Sequence, residues 1–216
     1  MNYQEFLKQK EFTLKNFGFD IDEKNLNIML FDFQKAIVKW ALKRDKSAIF
    51  ADCGLGKTPM QLEWANQIVK HTDGKVLILA PLAVSLQTKN EGIKFGIDVN
   101  VVSTMEDVKE GISITNYEKV HKFDPTIFEG VVLDESSILK SFTGKTKNAL
   151  IELFQNTNFK LACSATPAPN DYMELGNHCE FLNVMNRNEM LSMFFINDAS
   201  HTGDWRIKGH AQDEFL

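Results

Sequence analysis

Long apolar runs are missing from this 216-residue chain. None approaches the ~20 residues needed to span a bilayer, so no membrane association is expected. The first ten residues are polar and charged and lack the apolar stretch of a signal peptide, which makes the cytoplasm the expected location. Cysteine is scarce. Cys53, Cys163 and Cys179 are odd in number and widely spaced, which excludes a disulfide framework and a C-x-x-C zinc site. His178 beside Cys179 is a poor chelating pair without further ligands. A basic excess is also missing: Lys and Arg total 24 against 29 Asp and Glu, a net charge of −5. That argues against a dedicated nucleic-acid binder. A protein that tracks a phosphate backbone nevertheless needs only a local basic strip, and solubility alone also accounts for the acidic balance. Internal repeats and low-complexity linkers are absent.

What is present is a rhythm. Short apolar runs at 47–51, 75–80, 130–133 and 158–163 each end in a polar or small-residue turn, and 99–102 and 111–115 are two further candidates. Such runs read as strands buried on both faces, the signature of a parallel sheet. Helical patterns lie between them. Residues 31–42 place Phe33, Ile37, Trp40 and Ala41 on one side, and 58–69 do the same with Met60, Trp64, Ala65 and Ile68. Further helices are expected over 144–154 and 171–182. Alternating strands and helices predict a doubly wound α/β domain, with ligands at the carboxyl ends of its strands.

The strongest local signal is Ala51-Asp52-Cys53-Gly54-Leu55-Gly56-Lys57-Thr58, between a strand and a helix. Gly54 and Gly56 permit backbone conformations that a Cβ hinders. The loop's N–H groups, with the helix N-terminus behind them, can then cradle a phosphate. Lys57 would reach the β- and γ-phosphates, and the Thr58 hydroxyl would bind Mg2+. Ala51 stands where the strict phosphate-loop pattern has its first glycine. A second Gly-Lys-Thr, at 144–146, has no strand before it and reads as an ordinary helix start.

The run Val131-Val132-Leu133-Asp134-Glu135-Ser136-Ser137 ends a strand in two carboxylates. Adjacent side chains on an extended chain point opposite ways, so the two can take different work. Asp134 would hold Mg2+, directly or through water, and Glu135 would orient and deprotonate the attacking water. The alternative is a pair of solvated acids opening a helix.

With these motifs in place the chain resembles the N-terminal RecA-like lobe of superfamily-two helicases and Swi/Snf-type ATPases. Asp52 to Thr58 resembles motif I, and Asp134 to Ser137 the DEAD/DEAH box. Ser164-Ala165-Thr166-Pro167 matches the SAT sequence of motif III. Leu30 to Gln34 resembles the upstream glutamine motif. Ala80-Pro81-Leu82 with Gln87 resembles motif Ia, and Ile114 to Glu118 motif Ib. Residues 138–150 resemble the Swi/Snf-type segment after the acidic box. The motifs occur in family order over residues 30 to 180, and the wording, including 170–178, most resembles phage and prophage helicase-like proteins.

The resemblance implies a three-layer αβα fold with a mostly parallel sheet, ATP and Mg2+ as cofactors, and DNA as partner. Gln34 would read the adenine edge, and Cys53, Gly54, Leu55, Gly56, Lys57 and Thr58 would line the nucleotide. Pro81, Leu82 and Thr115 would touch the nucleic-acid backbone, with Ser164, Ala165 and Thr166 coupling the γ-phosphate to that groove. Lys140, Lys145 and Lys147 would add phosphate contacts or form a solvated helix face. The implied organisation is an N-terminal extension over 1–25, the lobe over 26–182, and a tail over 183–216. The tail reads as a helix and a segment leading to an absent second RecA-like lobe, its Met and Phe residues packing. Complete motors of the family place ATP between two lobes, and the second supplies an arginine finger. Arg187 and Arg206 follow no strand in a motif context and are not expected to serve. The chain alone is therefore expected to bind Mg·ATP and hydrolyse it slowly, as a piece of a longer protein, half of a split gene or a partial reading frame. The competing readings are a noncatalytic ATP- or DNA-binding module and the motor part of a restriction-type complex. A phosphate-loop ATPase unrelated to nucleic acid would not be expected to combine Gln34, Thr115 and Ser164-Ala165-Thr166.

Overall fold

The six apolar runs become the strands of one sheet: β1 (Lys46–Phe50), β2 (Lys75–Ala80), β3 (Val99–Val101), β4 (Ile112–Asn116), β5 (Phe128–Asp134) and β6 (Phe159–Ser164). In this computed structural model, which describes residues 17–140, 144–168, 171–197 and 205–209, all six run parallel in the order β1-β6-β5-β2-β4-β3. Three helices cover one face: α1 (Asp32–Arg44), α2 (Lys57–Thr72) and α3 (Ser85–Lys94). The other face carries α4 (Lys145–Leu153), α5 (Leu175–Phe181) and short 3-10 turns. The result is the expected three-layer αβα arrangement.

Alternation along each strand feeds both layers. Val76 and Ile78 of β2 and Val132 of β5 pack under α2, while Leu77, Leu79, Val131 and Leu133 pack under α4 and α5. Helix α2 inserts Met60, Trp64, Ala65 and Ile68 with no exposed surface, as its periodicity predicts. Burying each large side chain contributes roughly 1.5–3 kcal/mol. Helix α1 departs from expectation. It buries Gln34, Val38, Ala41 and Leu42, whereas Phe33 and Trp40 are half exposed. Both Val38 and Leu42 lie one turn apart on the stripe that meets α2 and β1, and aromatic bulk misdirected the sequence reading. Helix α3 was not anticipated, because its buried positions are Ser85, Thr88 and Gly92. The expected helix over 171–182 is a 3-10 turn at Tyr172–Glu174 followed by α5. The second Gly-Lys-Thr does open an ordinary helix, with Gly144 as the cap of α4.

Register fixes what meets at the carboxyl edge. Phe50 lies opposite Ser164, and Asp134 opposite Cys163. The Ala51 N–H then donates to the Ser164 carbonyl at 3.1 Å. The phosphate loop, the acidic pair and the SAT turn thus leave three adjacent strands side by side.

At the opposite edge β6 carries a buried lysine. Lys160 Nζ donates to the carbonyl of Phe181 at 2.9 Å and to Asn183 Oδ1 at 3.3 Å, which ties the end of α5 to the sheet. Burial, with some help from the like charge of Lys46, lowers its pKa to about 7.

Of the expected N-terminal extension, residues 1–16 lie outside the described residues, and 17–25 pack on the lobe. Phe19 stacks on His71 with ring centres 3.8 Å apart, and the Phe17 N–H donates to Asp45. Past α5, α6 (Arg187–Phe194) leads into β7 (Phe195–Asn197), which pairs antiparallel with β8 (Trp205–Ile207). Met173, Met190, Leu191 and Phe195 form a small separate cluster there, flanked by Met185, Phe194, Trp205 and Ile207. Lys208 closes the unit by donating to the carbonyls of Ser192 and Met193 at the α6 C-terminus. Met185, Met190, Phe194 and Phe195 of the tail thus pack within this chain, whereas Met193 is exposed. Residues 198–204 and 210–216 lie outside the described residues. No helix among the described residues is long and apolar enough to cross a membrane.

Candidate functional site

The phosphate loop is built on two left-handed residues. Gly54 has φ 84° and Gly56 φ 76°, where a side chain is strained. A Cβ on Gly56 would also strike the Gln34 amide nitrogen. Gly56 caps α2, and Pro59 sits in the first turn, where no intrahelical N–H is needed. Cys53, Gly54 and Leu55 are exposed, and Gly56, Lys57 and Thr58 are half-buried. The Lys57 ammonium donates to the carbonyls of Ala51 at 2.8 Å and Asp52 at 3.2 Å, so it hangs in the mouth of the loop.

Gln34 braces this loop from beneath. It is buried; its Oε1 accepts from the Phe31 N–H at 3.0 Å and its Nε2 donates to the Leu55 carbonyl at 3.1 Å. Each end of the amide makes one bond to the chain itself, which leaves one N–H and one oxygen lone pair for a further partner.

Across from the loop, Asp134 continues the face of Val132, the side on which α2 lies. Its carboxyl is pushed above the usual range, first by burial and then by the charge of Glu135, while Gln61 and Lys57 oppose the shift. The Tyr117 hydroxyl donates to the Asp134 carbonyl at 2.7 Å and fixes the strand end. Glu135 turns the chain out of the strand with φ 58°, a left-handed conformation unusual for a non-glycine residue. Its Oε1 accepts from the Ser164 hydroxyl at 2.9 Å, and Ser164 Oγ in turn accepts from the Thr166 N–H at 3.0 Å. Ser136, the next residue, pairs with His178 Nε2 at 3.1 Å, and the His178 ring meets Phe50 edge-on. Burial lowers the His178 pKa to about 4. His178 therefore braces the acidic turn.

These residues fit a Mg2+-bound nucleotide. Mg2+ takes one or two protein oxygens, waters and the substrate's phosphates, not a cage of side chains. Asp134 with the Thr58 hydroxyl supplies that kind of donor set beside a glycine cradle. No cluster of three His, Cys, Asp or Glu residues able to hold a metal occurs among the described residues.

The expected nucleic-acid residues divide. Pro81 is half-buried and Leu82 is 71% exposed just beyond β2, and Ala165 and Thr166 reach the surface beyond β6. Thr115 is only 2% exposed and Ser164 fully buried, so neither touches a ligand from this position. Thr115 belongs to the fully buried strand β4, one residue short of its end. Lys140 and Lys145 are exposed. Lys147 is buried with its ammonium 3.6 Å from Glu180, and is a structural pair, not a phosphate contact. Arg187 begins α6 and Arg206 lies in β8, neither at the carboxyl edge of the parallel sheet. The sequence assigns no role to Gln61 or Tyr117 and presents His178 only as a poor metal ligand beside Cys179. The spacing of Gln61 from Thr58, three residues along one helix, was the available signal.

A model of the SNF2-related domain family matches residues 33–195. No curated sequence matches the chain. Among solved structures, the Sulfolobus solfataricus SWI2/SNF2 ATPase core in complex with dsDNA superposes with a TM-score of 0.68 at 22% identity, covering 81% of this chain and 40% of that one. The Sulfolobus solfataricus SWI2/SNF2 ATPase core domain gives 0.63 at 22%, covering 82% and 42%. The UvsW helicase from bacteriophage T4 gives 0.60 at 16%, covering 72% and 58%. The chain thus spans less than half the length of either archaeal core, and what it shares with them is the RecA-like αβα fold.

Proposed function

We propose a function from one premise: the chain belongs to the SNF2-related domain family. It is the ATP-binding lobe of an ATP-dependent DNA helicase or translocase, coupling Mg·ATP hydrolysis to movement on DNA. The observation that carries this reading is the meeting of three motifs on adjacent strand ends, joined by the bond from Ser164 to Glu135. The loop from Cys53 to Thr58 binds the phosphates, and Lys57 leaves the carbonyls of Ala51 and Asp52 for the β- and γ-oxygens. Asp134 and Thr58 would hold Mg2+, which when bound would supply positive charge against the phosphates. Glu135 takes a proton from the attacking water. As the water oxygen bonds to the γ-phosphorus, the bond to the β–γ bridging oxygen breaks and ADP departs with that oxygen.

DNA is the proposed partner by analogy with the archaeal core solved with dsDNA. Pro81, Leu82 and Thr166 are its proposed contacts, with Thr115 and Ser164 acting from below. Full activity needs a second RecA-like lobe that contributes a cation to the transferring phosphoryl group. The 40% coverage of the archaeal neighbour supports that requirement.

The test is ATP turnover by this chain with and without duplex and single-stranded DNA, beside Glu135→Gln, with Mg·ATP binding measured for both. Binding by both, slow turnover by the parent and none by the variant is expected. Rapid DNA-stimulated turnover would remove the need for a second lobe. Failure of either protein to bind Mg·ATP would leave a noncatalytic module as the better reading.

A further inference from the structure

Gln61 lies three residues beyond Thr58 on α2, so the two side chains leave the same face of the helix. Helix α2 covers the side of β5 that carries Val132, and alternation along the strand puts Asp134 on that same side. Gln61 is 0% exposed, and neither its amide nitrogen nor its carbonyl oxygen has a hydrogen-bond partner among the described residues. A buried amide left unsatisfied on both sides is costly, and a methionine of similar volume would pack there without that cost. Asp134 gives the amide a purpose. The Gln61 amide faces the Asp134 carboxyl, although no bond within ordinary hydrogen-bond limits joins them.

We infer that Gln61 is a positioning residue for the Mg2+ site. Its Nε2–H holds one oxygen of the Asp134 carboxylate and leaves the other for the ion, and its Oε1 accepts from a water bound to Mg2+. The inference rests on the ATP-site reading above. It explains why an unpartnered amide is kept on α2, whose other buried polar side chains, Glu63 and Gln67, bond to each other at 2.6 Å. Removal of such an outer hydrogen-bond partner weakens metal binding by about 10- to 100-fold.

The experiment uses the full chain and a fluorescent ATP analogue. Affinity is measured without metal and across a Mg2+ titration for the parent, Gln61→Met and Lys57→Ala, with thermal unfolding in metal-free buffer. Gln61→Met is expected to melt at or above the parent temperature and to bind metal-free analogue within about twofold of it. The Mg2+ concentration at half-maximal tightening is expected to rise about 10- to 100-fold. If Gln61→Met does not fold, Gln61→Leu is measured in the same way. An unchanged Mg2+ requirement in either folded variant overturns the inference. If the parent binds without Mg2+ dependence, or Lys57→Ala binds as the parent does, the ATP-site reading itself fails, and that outcome does not involve Gln61.

Discussion

The Ser164 hydroxyl donates to Glu135 Oε1 at 2.9 Å across the seam between β6 and β5. The same hydroxyl oxygen accepts the Thr166 N–H, so one buried group joins the acidic pair to the turn that reaches the surface. Glu135 needs an anchor, because its left-handed backbone costs roughly 1–2 kcal/mol for a residue with a Cβ. A hydrogen bond to a charged group contributes about 1.5–3 kcal/mol. Ser164→Ala should therefore bind Mg·ATP within about twofold of the parent and slow hydrolysis by about tenfold or more. Single-turnover hydrolysis beside equilibrium binding checks this. A loss of binding equal to the loss of rate would mean that Ser164 shapes the pocket and does not serve the attacking group.

Gly54 and Gly56 share positive φ but not surroundings. A Cβ on Gly54 meets nothing within 4 Å, whereas one on Gly56 meets the Gln34 amide that holds the Leu55 carbonyl. Gly54→Ala should cost about 1–2 kcal/mol of backbone strain. Gly56→Ala adds displacement of Gln34, and should destabilise the protein more and weaken nucleotide binding further. Denaturant unfolding and ATP binding of the two variants, side by side, give the comparison; equal losses would show that Gln34 does not brace the loop.

Periodicity carried the parallel sheet and α2 because their cores are apolar and continuous. It misjudged α1, where Phe33 and Trp40 looked like core and Gln34 was buried in their place. It missed α3, whose buried positions are small or polar. In the site, the loop and acids were legible because their chemistry requires fixed residue types. Tyr117 and His178 were not, since each acts on Asp134 or Ser136 through a tertiary contact that no local spacing announces, and Gln61 offered only its place one turn beyond Thr58. Thr115 was placed at a surface because its motif was, although its position in β4 buries it.

The tail hairpin predicts local unfolding. Two-stranded sheets are marginal alone, and β7 and β8 depend on the small cluster around Phe195 and on Lys208 capping α6. Trp205→Ala should speed amide hydrogen exchange in α6 and β7 by about tenfold or more while leaving β5 and β6 unchanged. Equal acceleration in β5 would mean that tail and sheet unfold as one unit.

Lys160 predicts a pH dependence of the same sign as the familiar acid loss but displaced to the alkaline side of neutrality. Its folded pKa of about 7 lies below the ordinary 10.5. Below pH 7 both states are protonated and stability is flat with respect to this group. Above pH 7 the unfolded chain keeps more protons, so stability rises with pH. Burial raises the pKa values of Cys163, Cys179 and Tyr117, and these reverse the trend once the unfolded thiols begin to ionise near pH 9. The window is therefore pH 7 to 8.5, where Lys160 should add roughly 1.5 kcal/mol. Lys160→Met removes the titration while filling the same space. It also leaves the Phe181 carbonyl unpaired, which shifts the level of stability but not its slope. Denaturant unfolding at several pH values should show the slope in the parent and its loss in the variant. Parallel curves would mean that Lys160 titrates normally and that water reaches its ammonium.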